Sequence, residues 1–119
     1  MKISTKDPTL RTKKGQQIYV DYLKNEYDNV CIFCKRDLLI EEFKYWVLVK
    51  NRFPYSNVFK NHRMLASKAH VTNYNELEAE AKLELEELLA ELDYDMCIIN
   101  KKNKRSIPLH YHRHLVTLK

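Results

Sequence analysis

A single glycine, Gly15, stands among the 119 residues. A glycine-rich loop that holds phosphates with backbone amides is therefore impossible, which removes the P-loop and the dinucleotide-binding fingerprint. No run of about 18 apolar residues occurs, so no transmembrane helix and no membrane partner are expected. Residues 1–8 are polar and lack the apolar core of a signal peptide, which makes the cytoplasm the default compartment. The chain has three cysteines. An odd number argues against a disulfide framework, and in a reducing compartment a Cys-x-x-Cys pair points to metal or redox chemistry.

Charge is present but uneven. The net charge is +5. Residues 76–93 hold eight acids and one base, leaving 20 bases against 8 acids elsewhere, or +12. A basic body with one acidic helix suits an anionic ligand, a phosphate or a nucleic acid, although ordinary solubility charge would look the same.

The length suits one domain. Residues 1–15 read as a basic arm and residues 16–119 as the domain. From 16 to 29, Ile18, Tyr19, Tyr22, Leu23 and Tyr27 recur at helical spacing. Residues 43–50 are aromatic and β-branched and predict a strand. Pro54 and Asn57 break the chain before a second strand over 58–66. Asn73, with Glu76 three residues on, predicts a capped helix. Along it Leu77, Ala81, Leu85, Leu88, Leu89 and Leu92 form one apolar stripe, either core or core shared with a second copy. Residues 96–100 predict a strand with Cys97 packed as a small apolar residue. The order helix, strand, strand, helix, strand, strand implies an α+β fold with an antiparallel sheet.

Three of the five histidines stand at alternate positions near the end: His110, His112 and His114. On a strand they share one face, roughly 6.5–7 Å apart. Packing alone does not favour such a row, because buried imidazoles need partners and protonated ones repel. An exposed polar strand face or a metal-binding tract are the plain alternatives. Cys31 and Cys34 have the spacing of a zinc knuckle; a redox pair or two buried thiols remain open on spacing alone.

His-x-His-x-His followed by Leu115 and Val116, together with the upstream features below, resembles the signature of the histidine triad (HIT) superfamily of nucleotide hydrolases and transferases. The resemblance runs from about Cys31 to Val116. It implies a HIT-like antiparallel sheet with a long helix, to which this chain adds an N-terminal helix. In zinc-bearing relatives one ligand precedes the long helix and another opens the terminal cluster. The resemblance thus implies a structural Zn2+ on Cys31, Cys34, His70 and His110; taken by itself, His70 reads equally as a helix-start histidine with a local hydrogen bond. It makes His112 the nucleophile that takes the nucleotide, and His114 a polar contact beside the phosphate. Asn51, in an Asn-x-x-Pro segment ending at Pro54, falls near the nucleoside. His62 falls near the phosphates, where a plain polar strand residue would fit as well. Asn100 matches an asparagine at the end of its strand.

Two departures stand out. The family often has Gly-x-Ser-x-x-His, whereas Ser106 lies four residues before His110 with no glycine ahead of it. Lys104 and Arg105 occupy that loop and are expected to contact the anion by charge. Arg113 replaces an apolar residue between the histidines, which predicts a far strand face open to solvent or paired with an acid.

The implied function is nucleotidyl hydrolysis or transfer on a nucleoside phosphoramidate, a dinucleoside polyphosphate or another adenylylated compound, with a purine nucleotide as partner and a homodimer as the common assembly. The alternatives are a nucleic-acid-binding module, a 5′-end deadenylating enzyme, and a zinc-stabilised protein without activity.

Overall fold

The computed structural model describes residues 10–25, 31–35, 38–100 and 110–119. Its centre is a five-stranded sheet: β1 (Leu39–Glu42), β2 (Trp46–Lys50), β3 (Phe59–Ser67), β4 (Met96–Ile98) and β5 (His112–Leu118). The order is β1-β2-β3-β5-β4 and every pairing is antiparallel. Successive side chains alternate between faces, and here both faces of the central strands are buried. Trp46, Leu48, Leu65 and Leu115 point to one side, with Tyr111. Val47, Val49, Met64 and Ala66 point to the other, with Phe33. The register sets Ala66 opposite His112, Met64 opposite His114 and His62 opposite Val116. His62, His112 and His114 therefore lie on one face.

The acidic helix covers the opposite face. Asn73 donates its backbone N–H to Glu76 Oε1 at 3.0 Å, as the capping pattern predicts. However, the turn it opens is a short 3-10 segment, Tyr74–Glu76, and Leu77 and Glu78 are extended before α3 proper, Ala79–Glu91. The break lets Leu77 enter the core at 6% exposure. Leu77, Ala81, Leu85 and Leu88 are buried against the sheet, with Leu89 and Leu92 partly so. The stripe thus lies in this chain's own core. Two hydrogen bonds fix α3: the Trp46 indole N–H donates to the Ala81 carbonyl at 2.7 Å, and Glu84 Oε1 accepts from the Tyr45 N–H at 2.7 Å.

The N-terminal helix begins earlier than its apolar pattern predicts. The Thr12 hydroxyl accepts the Gly15 N–H at 3.0 Å, which caps the first turn, and α1 runs Lys13–Asn25. Residues 26–30, the rest of the expected helix, and residues 1–9 of the arm lie outside the described residues. Tyr19 and Tyr22 pack on Phe53, with ring centroids 5.1 and 4.8 Å apart, while Ile18 faces solvent.

The expected strand over 43–50 begins only at Trp46, because residues 43–45 turn a hairpin. Phe43 donates to the Trp46 carbonyl at 2.8 Å. The partner strand β1 has no counterpart in the sequence reading. Its four residues are exposed and do not alternate, and its register slips between Leu39 and Glu41. Leu38, just before it, has φ 61°. A left-handed leucine costs roughly 1–2 kcal/mol, and a chain with one glycine makes that turn with a side chain in place. No described helix is long and apolar enough to cross a membrane.

Leu85 is fully buried and Leu83, two positions earlier, is 62% exposed. Leu85→Ala should cost about 2–5 kcal/mol in a urea titration, and Leu83→Ala under about 0.5 kcal/mol. Equal losses would contradict this docking of α3.

Candidate functional site

The Cys-x-x-Cys pair spans the start of α2 (Ile32–Lys35), with Cys31 just ahead of it and Cys34 within it, a single turn closed by the Lys35 N–H on the Cys31 carbonyl at 3.1 Å. Residues three apart on a helix share a side, so both thiols point one way. Phe33 points inward, its ring 5.2 Å from His110 and 4.8 Å from His112. His70 follows β3 in a turn closed by the Ser67 hydroxyl on the Ala69 carbonyl at 2.7 Å. His110 stands two residues ahead of β5. One ligand atom from each of Cys31, Cys34, His70 and His110 lies within 4.8 Å of the others. His110 Nδ1 is 3.2 Å from Cys31 Sγ, 3.7 Å from Cys34 Sγ and 3.0 Å from His70 Nδ1.

Two observations test whether these residues fit a metal. His110 Nε2 lies 2.6 Å from the Ser67 carbonyl. A carbonyl only accepts, so Nε2 carries the proton and Nδ1 faces the thiols bare. Burial opposes the Cys31 thiolate, while hydrogen bonding from Cys34 favours it. Two thiols and two imidazoles, one of them with its lone pair turned to the sulfurs, form a donor set suited to tetrahedral zinc. The carbonyl on the back of His110 is the usual support for a ligating histidine.

The other histidines continue the row. His112 Nδ1 lies 2.8 Å from the His110 carbonyl. The same reasoning puts a proton on Nδ1, so that in the neutral ring the lone pair is on Nε2. The Tyr55 N–H donates to His62 Nδ1 at 3.0 Å. His62 is therefore protonated on Nε2, which lies 2.7 Å from His114 Nδ1 and donates to it. His114 must then present an Nε2–H. Burial, with the neighbouring Arg11 and His112, holds His62 neutral down to about 3. Burial, with His112, His62 and Arg11, holds His114 neutral to about 2. His114 is thus a neutral donor across the physiological range.

Asn51 is buried beside this pair. Its amide nitrogen is 3.2 and 3.1 Å from the two His62 ring nitrogens, and its Oδ1 accepts the Phe53 N–H at 2.8 Å. Asn51 therefore holds the turn and His62. Asn100 is half-buried and hydrogen-bonds Tyr55. Lys104, Arg105 and Ser106, and with them the loop over 101–105, lie outside the described residues. Arg113 faces neither open solvent nor an acid. It is half-buried, donates to the Tyr111 hydroxyl at 2.9 Å and lies over the Tyr74 ring. Tyrosine faces take the place of the carboxylate.

Two residues escaped the sequence reading. Tyr55 lies 4.5 Å from the His62 ring and stacks on His114 at 5.4 Å. Arg11, counted with the arm, is 9% exposed. Its guanidinium lies over the Tyr19 ring at 4.3 Å and the Tyr55 ring at 5.0 Å, with Nε donating to the Phe53 carbonyl at 2.9 Å. Its place immediately before the N-cap Thr12 was the available signal, because the residue ahead of a cap commonly packs back on the structure.

No protein-family model matches the chain, and no curated protein matches it. Among solved structures the chain is similar to one described as "Hit Like Protein", at 14% identity and a TM-score of 0.54, over 86% of this chain and 98% of that one. Identity that low speaks for the fold alone. The α+β arrangement with a five-stranded antiparallel sheet is HIT-like.

The donor set should take one zinc per chain. Elemental analysis of purified protein should find it, and Cys31→Ser should lose most of it together with thermal stability. A full complement in that variant would refute the site.

The histidine row also makes stability depend on pH. A histidine whose folded pKa lies below its unfolded value of about 6.5 gains a proton only on unfolding. Stability should be full above that value and fall towards pH 3, by about 1.4 kcal/mol per unit for each of His62 and His114. Urea midpoints at pH 7.5, 6 and 5 check this, and His62→Gln should reduce the slope. An unchanged slope in His62→Gln would show that the loss comes from elsewhere, such as the metal ligands.

Proposed function

We propose that this protein is a nucleotidyl hydrolase or transferase, acting on nucleoside phosphoramidates, dinucleoside polyphosphates or other adenylylated compounds through a nucleotidyl-histidine on His112. The observation that carries the reading is the His112 ring, held by the His110 carbonyl with Nε2 unprotonated. That is the state an attacking imidazole needs.

The first step forms a bond from the Nε2 lone pair to the α-phosphorus. The bond to the leaving group breaks, its electron pair departs with that group, and solvent supplies the proton. His112 becomes a cation, and its Nδ1–H bond to the His110 carbonyl strengthens as charge develops. The His114 Nε2–H donates to a phosphoryl oxygen. Because the proton on His62 is committed to His114, the donor stays aimed without itself becoming charged. Water then attacks phosphorus, the N–P bond breaks and its pair returns to Nε2, while the water's proton passes to solvent. An acceptor other than water gives transfer. The zinc, when bound, supplies a structural clamp on Cys31, Cys34, His70 and His110.

One cluster favours a nucleic-acid end as the adenylylated compound. Arg52 lies 4.8 Å from the Tyr22 ring centroid and 5.5 Å from that of Phe53. An exposed cation over tilted aromatic rings suits the phosphate and base of an unpaired strand end.

A panel of adenosine phosphoramidate, a diadenosine polyphosphate and 5′-adenylated DNA, with product analysis, separates these substrates. His112→Ala should lower turnover by about three orders of magnitude or more, with zinc content unchanged and the protein still folded. An AMP-sized mass increment on the His112 peptide of the wild type should be trapped under acid-free quench. Wild-type turnover in His112→Ala would refute the mechanism.

A further inference from the structure

We propose that Arg11 is the anion contact of the histidine site, its guanidinium taking a phosphate oxygen of a ligand whose reacting phosphorus lies at His112. The proposal rests on the reading above that the row receives a nucleotide, and it assigns a residue of the N-terminal segment to that task.

Burying a guanidinium is costly unless an opposite charge meets it. Arg11 is 9% exposed. Its protein partners are neutral: Nε donates to the Phe53 carbonyl at 2.9 Å and one η nitrogen to Gln16 Oε1 at 3.3 Å. Its remaining N–H groups have no partner among the described residues. The rings beside it, Tyr19 and Tyr55, bring no formal charge. Neither the remaining N–H groups nor the charge is met among the described residues.

Its place in the site is equally specific. The Tyr55 ring under Arg11 is the ring that stacks on His114 and lies 4.5 Å from His62. The cation thus stands one aromatic ring from the donor histidine, at the end of the row away from the cysteines. Its field reaches both histidines and is among the causes that lower them. With those imidazoles neutral, Arg11 gives this end of the row an uncompensated positive charge in a partly desolvated setting. An anion bound there meets a guanidinium fork, the group that best matches phosphate oxygens. The two protein hydrogen bonds and two ring faces preorganise that fork, so little side-chain freedom is lost on binding.

A purely structural arginine would show the same burial, so the test must separate charge recognition from packing. Calorimetric titration of the zinc-loaded full chain with AMP, inorganic phosphate and adenosine does so. Wild type should bind AMP more tightly than adenosine. Arg11→Gln should weaken AMP about tenfold or more, as for loss of a charge-assisted hydrogen bond, and leave adenosine unchanged. If AMP is unaffected, or if AMP and adenosine weaken by the same factor, Arg11 is a packing residue and the proposal fails. If wild type binds neither AMP nor phosphate, the nucleotide reading fails as well, which is a separate result. Should Arg11→Gln not fold, Arg11→Lys keeps the charge and loses the fork. It should lose AMP affinity several-fold with adenosine unchanged, and equal AMP affinity would overturn the proposal.

Discussion

The carbonyl of His110 accepts a hydrogen bond from His112 Nδ1, and the ring of the same residue turns away toward two thiols and His70. One residue thus belongs to both halves of the site. Its backbone places a proton on Nδ1 of His112, the proposed nucleophile, and its side chain is held between the Ser67 carbonyl and the cysteine turn. The ends of β3 and β5, α2 and the turn before the acidic helix all converge on this position. The end of β3 runs into that turn, but α2 and β5 are distant from it in sequence. A metal at the four ligands would join distant segments and keep the carbonyl in place, so cofactor and chemistry are coupled through a single peptide unit.

The second constraint is electrical. The protons of the histidine row are assigned by partners that can play only one part: carbonyls that accept and an amide that donates. That assignment passes from Tyr55 through His62 to His114, and separately from His110 to His112. It gives His112 a proton on Nδ1 and His114 a proton on Nε2. The proposed reaction uses that difference, with one ring attacking phosphorus and its neighbour supporting the oxygen. His114 reaches its state without being ionised.

Much of this arrangement was legible in the chain. The alternate spacing of His112 and His114 fixed their common face, and the pair at Cys31 and Cys34 gave half of the donor set, while His70 and His110 came only with the family resemblance. The leucine stripe of α3 gave the opposite layer, because helical periodicity survives even when the first turn breaks away. The misses have local causes. β1 carries no alternation, since an exposed edge strand buries nothing. Arg11 looked like part of a basic tail, because burial of a cation depends on tertiary partners such as Phe53 and Tyr55 that no local pattern announces. Arg113 paired with tyrosine rings where a carboxylate was expected, a contact that spacing along one strand does not encode.

The single tryptophan lies wholly on the side of the sheet away from the reactive histidines. Trp46 is fully buried, bonded to the Ala81 carbonyl and packed edge-on to Tyr111 at 6.1 Å. Tyr19 and Tyr55 lie on the histidine side. Tyrosines also stand on the tryptophan side, Tyr111 among them, so only the indole belongs to one layer. Its emission therefore follows the docking of α3 and not the histidine face. Unfolding of that layer can be watched with no label added.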